Sequence, residues 1–496
     1  MDLKRRAELF SHIAAALIVA GFFWHLLLPV WDIDFWWHIA AGRWIVEHGQ
    51  IPVTDPFGVF PNANPVRNDT VLRGQWAGQI ALYEAFRNFG AYGVVVLRAS
   101  LLSLCLALVY WRSRLLGAAP LAALLMLVVT GFGALGFSAD RPQLLSFAFA
   151  ALVLWLLDHR EKTVGRWPGV LIPLVGLVWA NSHGGVILGA ALLLLYLALD
   201  LVAPLLGRQR GPRTGKLAWI TALFVAATLV TPNGLTTYTY LFQLQGSALE
   251  KATSEYMSAF SIYQLGYWLP QFWVGAFFLL ALTALPRLLR TDLRQVTLVV
   301  FLGVISVVAY RYFAFFLFLA APYIAKGLPM PERIKSLPVG WSAASVAGLI
   351  WLLLGVVYPK TGLQQDAINQ AKYPVSAVKY LNATGSAGRV FNHINWGGYL
   401  LWHAPKVQVF MDGRMLDDRR MTPYTHVLWA TPQGRAWFDQ AGFDLVLLPY
   451  RNPLTNEYYP VHDYLQGSGN WRVLYRWEAG ALYGRNNGIV GERTFF

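Results

Sequence analysis

Long apolar runs constrain this chain most strongly, because they recur along most of its length. A helix needs about 20 apolar residues to cross a bilayer, and 56% of the 496 residues are hydrophobic while only 13% are charged. That balance excludes an ordinary soluble protein. The sequence predicts a mostly α-helical, polytopic membrane protein with about eleven transmembrane helices. The predicted spans lie near 9–30, 91–111, 115–137, 143–158, 168–183, 185–206, 217–232, 267–286, 296–310, 312–326 and 339–358.

Basic residues between these runs predict how the chain is oriented. With the amino terminus in the cytoplasm, every inside loop is basic, as the positive-inside rule requires. These loops are 4–6, 112–114, 160–166, 208–216, 287–294 and 326–335. They account for much of the net charge of +14, and no nucleic-acid-binding module is recognisable, so no nucleic-acid partner is expected. The first apolar run is longer than a signal core and no cleavage site follows it, which predicts an uncleaved first span.

Two domains are expected. Residues 1–358 would form the transmembrane module, whose first outer loop, 31–90, is long enough to be functional and carries interfacial helices. An odd number of spans places residues 359–496 outside. There, helix-like pieces (374–382, 433–441) alternate with strand-like pieces (389–391, 407–411, 445–448, 472–475), which predicts a compact extracytoplasmic α/β domain. The single cysteine, Cys105, excludes an internal disulfide.

Asp32 and Asp34 stand where the first apolar run ends, among Trp31, Trp36 and Trp37. Carboxylates at the rim of a bilayer are costly, which favours a function. A general base needs a carboxylate partly withdrawn from water, and an aromatic-lined membrane edge supplies that environment. The alternative is that the aspartates mark the water boundary beside an aromatic belt.

Other polar residues are expected on the same outer side. Asp140 and Arg141 lie between the third and fourth spans, and His183 between the fifth and sixth. His183 could instead cap a helix end. Arg311 interrupts an apolar stretch, so it requires a partner or water. It could bind a phosphate or pair with Glu255 as a structural contact.

Two sets of motifs carry a resemblance to a known family. Asp34 is followed nine residues on by Arg43 and fifteen on by Gly49, then by a proline-containing break. This order resembles the opening of the lipid-dependent glycosyltransferases of the C-type superfamily, which includes protein O-mannosyltransferases and lipid A aminoarabinose transferases. The stretches 141–143, 179–185 and 395–399 are similar to a bacterial branch of these membrane proteins.

The resemblance implies transfer of a sugar, with inversion, from a polyprenyl-phosphate carrier to a glycan, lipid or protein acceptor on the outer face. Asp34 would be the general base, with Asp32 and Asp140 as further catalytic residues. Arg141, Arg311, Arg43 and His183 would bind the donor phosphate. Asp34 and Asp140 could hold a divalent metal, Mg²⁺ or Mn²⁺, although some members use none.

The stretch 395–399, with Asp412-Gly413-Arg414 after it, resembles a tryptophan-aspartate-tyrosine signature of oligosaccharyltransferases. Glycine stands here where that signature has aspartate, so peptide recognition cannot be carried over. Glu255, Trp396 and Tyr399 are expected to contact the acceptor. The alternative for 395–399 is a glycine-rich strand-to-helix turn in the domain core.

The sequence thus predicts a membrane glycosyltransferase embedded among membrane lipids, in a bacterial inner membrane, with its C-terminal domain in the periplasm and no certain cofactor. Two alternatives are a transporter or flippase of lipid-linked glycans and a non-catalytic assembly partner with the same fold. A transporter would need polar residues along the middle of several spans, and only Arg98 stands out.

Overall fold

The computed structural model describes residues 3–60, 69–162, 167–207, 214–239, 256–260, 268–330, 351 and 372–486. The chain divides into two compact units. The first contains 1–32, 73–246 and 250–368, and the second contains 33–72, 247–249 and 369–496. The predicted boundary between 358 and 359 lies outside the described residues. Residues 33–72, which the sequence assigned to the transmembrane module, group with the C-terminal region.

The first unit is built from helices whose apolar side chains form one continuous core. Its described helices are Leu3–His25, Trp76–Leu115, Pro120–Ala134, Gln143–Lys162, Trp167–Ser182, Val186–Val202, Thr214–Thr228, Trp268–Thr291, Leu293–Val308 and Phe313–Gly327. The longest, Trp76–Leu115, has a kink at Gly90, whose positive φ of 62° suits a residue without Cβ.

Six helices in the described part of the chain are long and apolar enough to cross a membrane, as expected of an integral membrane protein. They are Glu8–His25, Trp76–Leu115, Pro120–Phe137, Gln143–Arg160, Val186–Leu205 and Phe272–Thr291. Other predicted spans coincide with shorter apolar helices, among them Trp167–Ser182 and Thr214–Thr228. The predicted span 339–358 lies outside the described residues except for Trp351.

A buried network around one ion pair joins four helices of the first unit. Arg112 Nε donates to Asp158 at 2.8 Å, and neither side chain is more than 5% exposed. The same guanidinium donates to the Leu319 carbonyl and the Tyr323 hydroxyl, and the latter hydroxyl lies 2.5 Å from that of Tyr196. A buried polar group is costly when its hydrogen bonds are broken, so this network favours the one helix packing in which all of these contacts form.

The second unit contains a five-stranded sheet of order β2-β1-β3-β5-β4. The strands are β1 (Gly388–Asn392), β2 (Val407–Val409), β3 (Leu445–Pro449), β4 (Trp471–Trp477) and β5 (Gly480–Arg485). β1 pairs parallel with β2 and β3, whereas β5 pairs antiparallel with β3 and β4. The predicted α/β character of this region is therefore present, with β5 as an additional strand.

Six helices accompany this sheet in the described residues of the second unit: Phe35–His48, Val375–Thr384, Ile394–His403, Met421–Leu428, Pro432–Gln440 and Val461–Gly467. The first of them lies in the loop 31–90, for which the sequence predicted interfacial helices. In the structure all of its residues from Phe35 to Gly42 are buried, because it packs against Ile394–His403. It is part of the core of this unit.

Candidate functional site

A buried ion pair contains Asp140, which lies in the turn before the helix Gln143–Lys162. Arg98 Nη1 donates to both carboxylate oxygens of Asp140, at 2.9 and 2.8 Å, and both side chains are fully buried. The guanidinium also donates to the carbonyls of Leu26 and Leu28, which follow the first helix. Burial raises the pKa of the Asp140 carboxyl, and the Arg98 charge opposes that rise. The pair ties the end of the first helix to this turn.

Arg141, the next residue, binds the other carboxylate of this region. Its Nη2 donates to Asp32 Oδ1 at 3.0 Å and its Nε donates to Oδ2. The Asp32 side chain is buried, whereas that of Arg141 is 22% exposed. A carboxylate whose two oxygens both accept from one guanidinium orients that guanidinium. This geometry favours Asp32 as a positioning residue for Arg141.

His183 and Asn181 hold neighbouring helix ends together. His183 Nδ1 lies 2.8 Å from the Ser146 hydroxyl and 3.0 Å from the Gly185 backbone nitrogen. Trp76 Nε1 donates to Asn181 Oδ1 at 2.8 Å. These contacts favour the structural alternative that the sequence left open for His183.

Arg311 follows the helix Leu293–Val308, and its guanidinium carbon lies 4.7 Å from the ring centre of Tyr256. The ring faces the cation, an arrangement worth about 0.5–1 kcal/mol at exposed sites. Its proposed partner, Glu255, lies outside the described residues. Arg311 is half-buried, and its role as a phosphate ligand stays a prediction.

Asp34 belongs to the second unit, where it occupies the N-cap position of the helix Phe35–His48. Its side chain is half-buried and does not cap the helix backbone. A Cβ placed on Gly413 would overlap Asp34 Oδ1 and lie 3.1 Å from Trp37 Nε1. The carboxylate therefore lies directly against the glycine backbone, close to the indole N–H. That indole nitrogen is buried and has no hydrogen-bond partner in the described part of the chain.

A buried charged network holds the residues on either side of Gly413. Arg414 Nε and Nη2 donate to Asp412 at 2.8 and 2.6 Å, and its Nη1 and Nη2 donate to Asp55 at 2.6 and 3.2 Å. All three side chains are less than 10% exposed. The Arg414 backbone nitrogen also donates to Asp412 Oδ1. The Arg414 guanidinium thus connects Asp55, in the loop after the helix Phe35–His48, to the turn 412–414 beside Asp34.

Two glycines of the 395–399 motif permit close packing around this turn. A Cβ on Gly397 would overlap the Met411 carbonyl, and one on Gly398 would lie 3.2 Å from the backbone of Ile33 and Trp37. The helix Ile394–His403 therefore approaches both backbones closely. The sequence offered a strand-to-helix turn as the alternative for this motif, whereas the structure places residues 395–399 inside the helix that follows the turn.

The predicted acceptor contacts Trp396 and Tyr399 are buried in the second unit. Trp396 packs against Trp477, and Tyr399 stacks on Tyr373 with ring centres 4.8 Å apart. Arg43, a predicted phosphate ligand, lies with its guanidinium 4.4 Å from the ring centre of Trp402. Each of these side chains has an aromatic packing partner within this unit.

The described residues bring together no group of three or more histidine, cysteine, aspartate or glutamate side chains able to hold a metal. Mg²⁺ and Mn²⁺ prefer oxygen ligands such as carboxylates. Both oxygens of Asp140 instead accept from Arg98. Asp140 in this arrangement does not fit the role of a ligand to Mg²⁺ or Mn²⁺.

Sequence reasoning found Asp34, Asp32 and Arg141 but missed Asp55, Asp412 and Arg414 as a network, and Trp37 as a neighbour of Asp34. The only available signal was the Asp-Gly-Arg order at 412–414, since Asp55 is 359 residues away from Arg414. Comparison of the sequence with protein-family models gives no match, and neither does comparison with curated proteins.

Proposed function

We propose that this protein is a membrane glycosyltransferase that takes a sugar from a polyprenyl-phosphate carrier, with Asp34 as the general base. The observation that carries the proposal is the half-buried Asp34 carboxylate, held against the backbone of Gly413 at a helix N-terminus. A helix N-terminus favours negative charge, and partial burial limits hydration of the carboxylate. The first keeps the carboxylate ionised, as a base must be before it reacts, and the second opposes the first by favouring uptake of the hydroxyl proton.

The proposed step is a single displacement at the anomeric carbon. An acceptor hydroxyl oxygen forms the new bond to that carbon while the bond to the phosphate oxygen breaks. The hydroxyl proton passes to Asp34, and the carrier leaves as polyprenyl phosphate. In-line attack inverts the configuration, and Arg141 and Arg311 remain the predicted ligands of the leaving phosphate.

Support for the scaffold comes from the six helices able to cross a membrane and from the α/β unit that carries Asp34. We further propose about eleven spans, an amino terminus in the cytoplasm, a C-terminal domain in the periplasm and location in a bacterial inner membrane. The acceptor is a glycan, lipid or protein.

The test is a reconstitution in proteoliposomes with polyprenyl-phosphate hexoses and aminosugars, radiolabelled in the sugar. With a membrane and glycan extract added as the source of acceptor, transfer predicts that free polyprenyl phosphate appears and that label moves from the carrier to a glycan, a protein or a second lipid. Intact labelled lipid that crosses the bilayer without cleavage would contradict transfer and support the flippase alternative. Neither cleavage nor movement, with any donor of the panel, would support a non-catalytic partner.

A further inference from the structure

An open pocket in the second unit has none of the residues assigned to catalysis in its lining. Its volume is about 420 Å³, and it is lined by Phe60, Phe410, Trp437, Asp417, Arg419 and Arg420, among others. Small-molecule sites typically measure about 300–1,000 Å³ and combine aromatic walls with a few polar groups. The pocket has both properties.

The aromatic wall consists of rings that pack against one another. Phe410 is buried, and its ring centre lies 5.4 Å from that of Trp437 and 5.9 Å from that of Phe60. The Arg389 guanidinium carbon lies 4.7 Å from the ring centre of Phe60, which adds a cation–π contact. Phe60 and Trp437 remain half-buried, so part of each ring is accessible. The rings are inclined to one another, by 60° between Phe60 and Trp437, so each exposed ring offers its own apolar area.

The polar wall carries charge in a fixed arrangement. Asp417 accepts from the backbone nitrogen and from Nε of Arg419, both at 3.1 Å. Arg420 Nη2 donates to the Phe60 carbonyl at 2.7 Å. The Arg419 side chain is 69% exposed although its Nε is held by Asp417. The aspartate and two arginines named here sum to a charge of +1.

We propose that this pocket binds a saccharide ring that carries a carboxylate, as in a uronic acid. The C–H face of a pyranose ring packs on flat aromatic side chains, and its hydroxyls bond to carboxylate and guanidinium groups. Guanidinium matches a carboxylate bidentately, and the net positive lining favours an acidic over a neutral ring. Binding at this pocket does not require sugar transfer, so it can be tested independently of the proposed reaction.

The experiment is isothermal titration of the full-length protein in lipid nanodiscs, with a glucuronate-containing tetrasaccharide and with neutral cellotetraose. We expect saturable binding of the acidic ligand, at least about tenfold tighter than of the neutral one, a difference of about 1.4 kcal/mol. Arg419→Gln removes this preference, and because Arg419 is mostly exposed the variant should fold normally. Trp437→Ala weakens binding of both ligands by about tenfold or more.

Matched controls lie outside the pocket. Trp429→Ala, at a 37% exposed tryptophan, and Arg472→Gln, at an exposed arginine of β4, should leave both affinities unchanged. Absence of saturable binding, equal affinity for the two ligands, or retention of the acidic preference in Arg419→Gln would each overturn the proposal. If Trp437→Ala unfolds, as thermal melting would show, the Arg419→Gln comparison decides alone.

Discussion

Arg414→Met tests whether the buried charged network maintains the turn beside Asp34. The substitution keeps an unbranched side chain but removes the guanidinium that donates to both Asp55 and Asp412, whose side chains are only 4% and 7% exposed. Removing one partner of a buried ion pair costs about 3–5 kcal/mol, because the other charge stays buried and uncompensated. We expect a loss of that size in the stability of the second unit.

A second variant, Asp55→Asn, tests whether the loss of stability comes from the charged network. Asp55→Asn leaves the contact between Arg414 and Asp412 intact and weakens only the charge-assisted hydrogen bonds to residue 55. Such bonds are worth about 1.5–3 kcal/mol, so Asp55→Asn should cost less than Arg414→Met. The double variant should cost less than the sum of the two single changes, because both remove the same contact.

The assay is pulse proteolysis of the full chain in nanodiscs across a urea series, which reports opening of the second unit. Arg472→Met, at an exposed arginine, is the control and should shift the midpoint by no more than about 0.5 kcal/mol. If Arg414→Met behaves like this control, or costs less than Asp55→Asn, the network does not stabilise the turn and the reasoning is refuted.

Three further predictions concern other parts of the molecule. Gly413→Ala places a methyl group on the Asp34 carboxylate, so sugar transfer should fall sharply, and the free energy of unfolding should fall by about 1–3 kcal/mol. Polyprenyl-phosphate release at the wild-type rate would contradict this contact. Asp140→Asn leaves Arg98 buried without its counter-ion and should lower the yield of folded protein in membranes, whereas adding Arg98→Leu should restore part of it. Burial lowers the pKa of His393 to about 4, against about 6.5 in the unfolded chain. The unfolded state therefore binds the extra proton first, and His393 should lower stability as pH drops from about 6.5 towards 4, by at most about 1.4 kcal/mol per pH unit. Burial also lowers the pKa values of His403 and His462, so His393→Gln should reduce the slope in a pH series of thermal melts without abolishing it.

Local pattern was sufficient to predict the helices and the α/β character of the C-terminal region. Apolar runs of helical length predict elements without any knowledge of tertiary contacts, and the helices Gln143–Lys162 and Val186–Val202 lie where the runs indicate. β5 was missed because its sequence, Gly-Ala-Leu-Tyr-Gly-Arg, contains two glycines and lacks β-branched residues.

The partners of charged residues could not be predicted, because pairing is a property of tertiary structure. Arg98 was recognised as unusual within a span, yet its partner Asp140 lies 42 residues away. Asp140 was assigned a catalytic role because the resemblance to the glycosyltransferase superfamily implied one, and the structure shows that both of its oxygens accept from that arginine. The burial of Trp396 and Tyr399 was equally invisible, since aromatic residues suit both a domain core and a binding surface.

The measurement that tests the central proposal most directly is the rate of polyprenyl-phosphate release by Asp34→Asn in proteoliposomes. Asparagine keeps the size of the side chain but cannot accept the proton, so the rate should fall by about 10²–10⁴-fold while thermal stability is maintained. Glu47→Gln, an exposed carboxylate on the same helix, should retain the wild-type rate. Release by Asp34→Asn at the rate of Glu47→Gln would show that Asp34 is not the base.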